Sequence, residues 1–139
     1  VKGDHIKYRE RKYKYQLVED YIVKIDLIGY SIDKDFFKLD IDGTLTIKTG
    51  YAWDGPSGPT IDTPDFMRGS LIHDVLYQMI REYLLPFDCK DKADEILRDI
   101  CEEDGMSGVR SHYVFWAVQM YGESSCMPGS DKDEIKTAP

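Results

Sequence analysis

The sequence predicts an α+β fold: a small N-terminal antiparallel β-sheet, then a Gly/Pro-rich loop, then three α-helices, the first two an antiparallel pair. Three observations predict it. Aromatic and β-branched residues crowd the segments from Tyr13 to Lys48, where some alternate with polar residues. The span 50–65 (GYAWDGPSGPTIDTPD) holds three Gly and three Pro, which excludes a helix there. Beyond it, apolar residues recur at helical spacing to Gly122.

The strands are expected at Tyr13 to Val18, Tyr21 to Ile28, Phe36 to Ile41 and Thr44 to Lys48. The last two flank Asp42-Gly43, a hairpin signal, because Gly takes the positive φ that a tight turn needs. Thr63 can cap the first helix, with Pro64 in the first turn, where its missing N–H costs nothing. Phe66, Leu71, Ile72, Val75, Leu76, Met79 and Ile80 carry that helix to about Leu85, and Pro86 ends it. A second helix is expected from Asp91 to Glu103, with Ala93, Ile96, Leu97, Ile100 and Cys101 on one face and Asp104-Gly105 as its stop. A third begins after the cap Ser107 and carries Val109, Tyr113, Phe115, Trp116, Val118, Met120 and Tyr121. Residues 1–122 then make one domain, and 123–139, rich in Ser, Gly, Pro and charge, a flexible or partner-docked tail.

With 139 residues, 42% of them hydrophobic, the chain can bury one core without disulfides. A net charge of -8 repels phosphate backbones, so no nucleic acid is expected as a partner. Lys7, Arg9, Arg11, Lys12 and Lys14 form a basic cluster that reads first as the solvated face of an edge strand, with contact to an anionic surface as the alternative. Three cysteines without CxxC spacing argue against a disulfide framework or a zinc knuckle, although the pairing of Cys101 with Cys126 stays open. No signal-peptide pattern and no membrane-length apolar run is seen, and the odd, sparse cysteine set points to synthesis in a reducing cytoplasm.

Chemistry is expected around Ser70-Leu-Ile-His73-Asp74-Val-Leu-Tyr77. His73 and Tyr77 are four apart and share a helix face. Polar groups among such apolar neighbours are costly unless each has a partner. Asp94, in the first turns of the second helix, comes near His73 if the two helices pair antiparallel. A carboxylate on one imidazole nitrogen fixes the tautomer and leaves the other as a general base. The plainer alternatives are a satisfied structural His and an Asp that favours a helix N-terminus. In the loop, Trp53-Asp54-Gly55-Pro56-Ser57-Gly58 can turn carbonyls inward for a hard cation such as Ca²⁺, with Asp74 as its carboxylate, or can simply be a rigid loop packing Trp53 on the core. No GxSxG, Walker loop or HExxH is present.

The HDVLY motif followed by a second-helix Ala93-Asp94 resembles the core of the phospholipase A2 superfamily, most of all its disulfide-free, viral-capsid type. The resemblance implies His73 as base, Asp94 as its orienter, Tyr77 as a supporting hydroxyl, and Ca²⁺ held by Asp74 with carbonyls of Trp53, Gly55 and Gly58. Where that family reads Tyr-x-Gly-x-Gly, this loop has Trp-Asp-Gly-Pro-Ser-Gly. The order of a strand-rich half, GYAWDGPSGP, SLIHDVLYQ and KADEILRDI is also similar to the phage- and prophage-associated family catalogued as domain of unknown function 1353.

That second resemblance implies a bacteriophage or prophage origin, with synthesis in the host cytoplasm and association with the virion as one open alternative. Two functions follow. One is calcium-dependent hydrolysis of phospholipid esters at a membrane surface. The other is a non-catalytic virion or host-interaction protein that keeps the fold and binds a phage structural or host protein.

Overall fold

The computed structural model describes residues 15–53 and 63–129. Within them lie six strands: β1 (Tyr15–Gln16), β2 (Tyr21–Lys24), β3 (Ile32–Asp33), β4 (Phe37–Leu39), β5 (Thr44–Ile47) and β6 (Ala52–Trp53). Four helices follow: α1 (Pro64–Arg81), α2 (Cys89–Glu103), α3 (Gly108–Tyr121) and α4 (Glu123–Cys126). The fold is α+β, with antiparallel strands first and helices after. None of the helices searched is long and apolar enough to cross a membrane. The basic cluster from Lys7 to Lys14 lies outside the described residues.

The main sheet has the order β2-β5-β4-β3. Its centre is the β4–β5 hairpin, in register Phe37↔Ile47 and Leu39↔Leu45. All four of those side chains are buried on one face, while Lys38 points the other way, as a strand period of two requires. The turn is the expected one. Gly43 sits at φ 91°, Asp42 accepts a hydrogen bond from the Thr44 N–H at 3.0 Å, and Asp40 and Thr44 close the hairpin.

Two features differ from expectation. β3 and β6 are two-residue strands, too short to carry a period, and β6 falls inside the span expected to be loop. β6 pairs with β1 as a separate two-stranded sheet, Tyr15 opposite Trp53. The expected strand from Tyr21 to Ile28 also stops as a regular ladder at Lys24, continuing through single bonds such as Ile25 N–H to the Gly43 carbonyl.

Helix α1 is the axis of the molecule. Pro64 opens it, and Ile72, Val75, Leu76, Met79 and Ile80 are wholly buried. Each such side chain stabilises the fold by roughly 1.5–3 kcal/mol. One core cluster joins α1 to the sheet through Phe37, Leu39, Leu45 and Ile47, and to α2 through Ala93, Ile96 and Ile100. A second joins Phe66 to Leu97, Cys101, Met106 and Val114. Gly69 lets α1 approach α2 closely, since a Cβ there would stand 2.9 Å from the Cys101 sulfur. The helix ends at Arg81, before the expected Leu85, because Tyr83 takes φ 63°. Ser107 caps α3 by accepting from the Arg110 N–H at 3.2 Å; Thr63, by contrast, makes no side-chain cap, and its hydroxyl engages Asp65 and Arg110 instead.

The segment after Gly122 does not begin as a loose tail. Residues 123–126 form α4, Cys126 is fully buried, and the Arg81 guanidinium donates to the Ser125 carbonyl at 2.9 Å. Arg81 is basic and lies in the last turn of α1, so it serves carbonyls on the neighbouring chain segment. The expected boundary at 122 therefore moves to at least Gly129, whose N–H donates to the Arg81 carbonyl at 2.7 Å.

The turn glycines make a paired test. Gly29 has φ 97° with open space around the position of a Cβ, so Gly29→Ala is expected to cost about 1–2 kcal/mol from backbone strain alone. At Gly43 the added Cβ would also run into the Ile25 carbonyl, so Gly43→Ala is expected to cost about 3 kcal/mol or more. Urea unfolding of the two variants checks the difference.

Candidate active site

The antiparallel packing of α1 and α2 brings a carboxylate into contact with a helical histidine. His73 Nε2 and Asp94 Oδ1 are 2.7 Å apart. Tyr77, one turn after His73, donates its hydroxyl to the same oxygen at 2.6 Å, and its ring lies against the imidazole at 4.0 Å between centroids. The i, i+4 spacing is what lets both side chains reach one oxygen.

The other oxygen of Asp94 is equally occupied. Lys90, one turn earlier on α2, donates to Oδ2 at 2.8 Å and also to the Val118 carbonyl of α3 at 3.2 Å. The Gln119 side-chain amide donates to the same Oδ2. Asp94 is thus wholly buried and takes hydrogen bonds from three helices. Burial by itself pushes its pKa up, but the bonds from His73, Lys90 and Tyr77 outweigh that and hold the carboxyl below its ordinary range. Burial, reinforced by the Asp94 charge, pushes Tyr77 upward, so its hydroxyl stays a donor.

An ionised Asp94 accepts from Nε2–H, which fixes the tautomer of a neutral His73. Nδ1 then carries a lone pair, and among the described residues no hydrogen bond reaches it. The side chain of His73 is 12% exposed, so the ring is mostly shielded but not sealed. Chemically this is a base held by a charged orienter. Lys90 changes its balance relative to a bare His–Asp pair: the ammonium already offsets the carboxylate, so the network is neutral when His73 is neutral.

Asp74, next in sequence, turns to the sheet side. The Tyr51 hydroxyl lies 2.8 Å from Asp74 Oδ2 and 3.0 Å from Gln78 Oε1, two acceptors facing one proton. These are hard oxygens of the kind calcium takes, but calcium needs six to eight of them. Among the described residues no group of three or more His, Cys, Asp or Glu could hold a metal ion. Gly55 and Gly58 lie outside the described residues. Trp53 is buried in β6, its ring against Tyr15 and its indole N–H donating to the Ser70 hydroxyl at 3.2 Å, the packing role left open by the sequence. The described residues do not assemble a calcium shell.

None of the three cysteines forms a disulfide. Cys89, Cys101 and Cys126 are free thiols, and Cys101 and Cys126 sit in different core clusters. Burial pushes Cys101 to about 12 and Cys126 to about 11, far from a reactive thiolate.

Sequence reasoning brought His73, Asp94 and Tyr77 together but missed Lys90, Gln119 and Tyr51. Lys90 had a signal, its i, i+4 spacing to Asp94 on a helix. Gln119 and Tyr51 had none, because their contacts span 25 and 23 residues.

The chain matches no family model, no curated protein and no solved structure.

Lys90→Met removes the cation from a buried carboxylate, and is expected to cost about 3–5 kcal/mol in urea unfolding at pH 7. Lys90→Met combined with Asp94→Asn should recover part of that loss. The pH dependence has a definite sign. Because the folded pKa of Asp94 is lowered, its stabilisation is present above roughly pH 4, the unfolded value, and is lost as pH falls through the folded value. Asp94→Asn should flatten the acid limb of stability against pH, measured by thermal melts below pH 4.

Proposed function

We propose that the chain is a phage- or prophage-encoded hydrolase of phospholipid ester bonds that uses His73 as its general base. The observation that carries this reading is the 2.7 Å contact between His73 Nε2 and Asp94, with Tyr77 on the same oxygen and no hydrogen bond on Nδ1 among the described residues. The motif resemblance to the phospholipase A2 superfamily supports the substrate class.

In this reading Nδ1 takes a proton from water while the water oxygen attacks the ester carbonyl carbon. Asp94 stabilises the imidazolium that forms. The ester C–O bond then breaks, and the leaving alkoxide takes the proton from His73, giving a fatty acid and a lysophospholipid. Tyr77, Lys90 and Gln119 hold Asp94 and do not touch substrate. Calcium, with Asp74 as its carboxylate, belongs to the proposal through the loop sequence and the resemblance.

A second reading has its own support. Asp94 is satisfied on both oxygens inside the protein, as a structural carboxylate would be, which suits a non-catalytic virion or host-interaction protein.

His73→Gln separates the two. A general base contributes about 10²–10⁴ in rate, so hydrolysis of phospholipid should fall by that factor while the thermal midpoint holds. Calcium and chelator arms test the ion. If the wild-type chain releases no fatty acid in either arm and His73→Gln only lowers the melting temperature, the network is structural.

A further inference from the structure

The main sheet ends at β2, and among the described residues no strand pairs with the outer edge of β2. The register shows what that edge presents. Leu17 N–H donates to the Tyr51 carbonyl and Ile25 N–H to the Gly43 carbonyl, while Tyr15↔Trp53 and Tyr21↔Ile47 keep one register in between. Backbone groups along an antiparallel pair alternate in direction. The odd-numbered residues therefore bond inward to β5, and Ile22 and Lys24 aim their N–H and C=O groups outward.

Ile22 is also the exception on its face of the sheet. It is 65% exposed, and the side chains next across the sheet are Thr46 on β5 and Lys38 on β4. On the other face, Leu45 and Ile47 of β5 are wholly buried, whereas their β2 neighbours Val23 and Tyr21 are only half-buried. The apolar layer thus runs to the edge without being closed there. An open edge with an apolar side chain at its centre is a template for another strand.

The charges on either side of Ile22 say which strand fits. Asp20 and Lys24 stand two residues before and two after it, so in an extended chain all three share one face. Thr49 holds Asp20 Oδ1 through its N–H at 2.7 Å and its hydroxyl at 2.8 Å, which fixes the carboxylate beside the edge. A second copy laid antiparallel, Ile22 against Ile22, sets Asp20 of each copy opposite Lys24 of the other. Both opposite-charge contacts and the apolar contact then form at once. Other registers lose them. Centring on Val23 puts Ile22 against Lys24 and Asp20 against Asp26, and centring on Tyr21 puts Ile22 against Asp20 and Lys24 against Val18.

We propose that the β2 edge joins two copies of this chain about a two-fold axis at Ile22, with Asp20 and Lys24 paired across it. The main sheet continues from one copy into the other, and the axis stands perpendicular to it, so both sets of helices lie on the same side. A contact of one short strand from each copy is small, which makes the dimer weak and dependent on concentration. The inference is independent of the hydrolase reading.

The test is sedimentation velocity of the full chain over a series of concentrations, with the melting temperature as the control for folding. The wild-type chain is expected to move from monomer towards dimer as concentration rises. Ile22→Lys sets two like charges on the axis and should weaken association at least about tenfold. Its melting temperature should hold, since the side chain is exposed. Lys24→Glu and Asp20→Lys each create two like-charge contacts in their own dimers and should weaken association similarly. Mixed together, these two variants are complementary at both contacts, and the mixture should dimerise again. Should the loss of the Thr49 bonds unfold Asp20→Lys, Ile22→Lys and Lys24→Glu still decide the matter. A wild-type chain that stays monomeric throughout, as an edge occupied by the chain's own N-terminal segment would give, overturns the proposal. So does a dimer that Ile22→Lys or Lys24→Glu leaves at wild-type strength. A mixture that stays monomeric while both variants are folded overturns it too.

Discussion

A carboxylate at zero exposure is the constraint around which the three long helices are arranged. Asp94 without partners would be untenable in the interior, where an isolated charge costs several kcal/mol even after relaxation. Its donors come from α1, α2 and α3, so each helix has to stand at the rotation and depth that aims its side chain at one of two oxygens. Hydrophobic burial brings the helices together, and this network adds directional contacts at the one point where all three meet. The close approach of α1 to α2 at Gly69 is part of the same packing, since a side chain there would meet Leu97 and Cys101.

Much of this arrangement was legible in the sequence because it is local. Asp42-Gly43 announced its hairpin through a φ that only Gly adopts freely, and Pro64 and Ser107 marked helix starts through the chemistry of the first turn. His73 and Tyr77 shared a face by spacing alone, and Asp94 met them once the helix pair folded back. The illegible parts are of two kinds. β3 and β6 are two residues long, and a pair of residues has no period to detect. Gln119 and Tyr51 act across the fold, and nothing near them in the chain encodes a distant partner.

Lys90 is an intermediate case. It stands in the run Lys90-Asp-Lys-Ala-Asp94-Glu, which by composition reads as a solvated, charged helix face. The structure splits that run, with Lys92 meeting Asp26 at the surface while Lys90 and Asp94 turn inward together. Two lysines two residues apart therefore have opposite surroundings, because a two-residue step is about 200° around a helix. The apolar neighbours Ala93 and Leu97 mark which side faces in.

The convergence of three helices on one carboxylate bears on how the native state opens. Lifting any one of them strips a partner from the buried charge and raises the free energy of the remaining two. Partial opening is thereby disfavoured relative to opening as a unit, and α1, α2 and α3 become a single cooperative block in amide hydrogen exchange. The β1–β6 pair lies outside the Asp94 network but is tied to the same block, because Trp53 is buried in the core and its indole N–H donates to the Ser70 hydroxyl of α1.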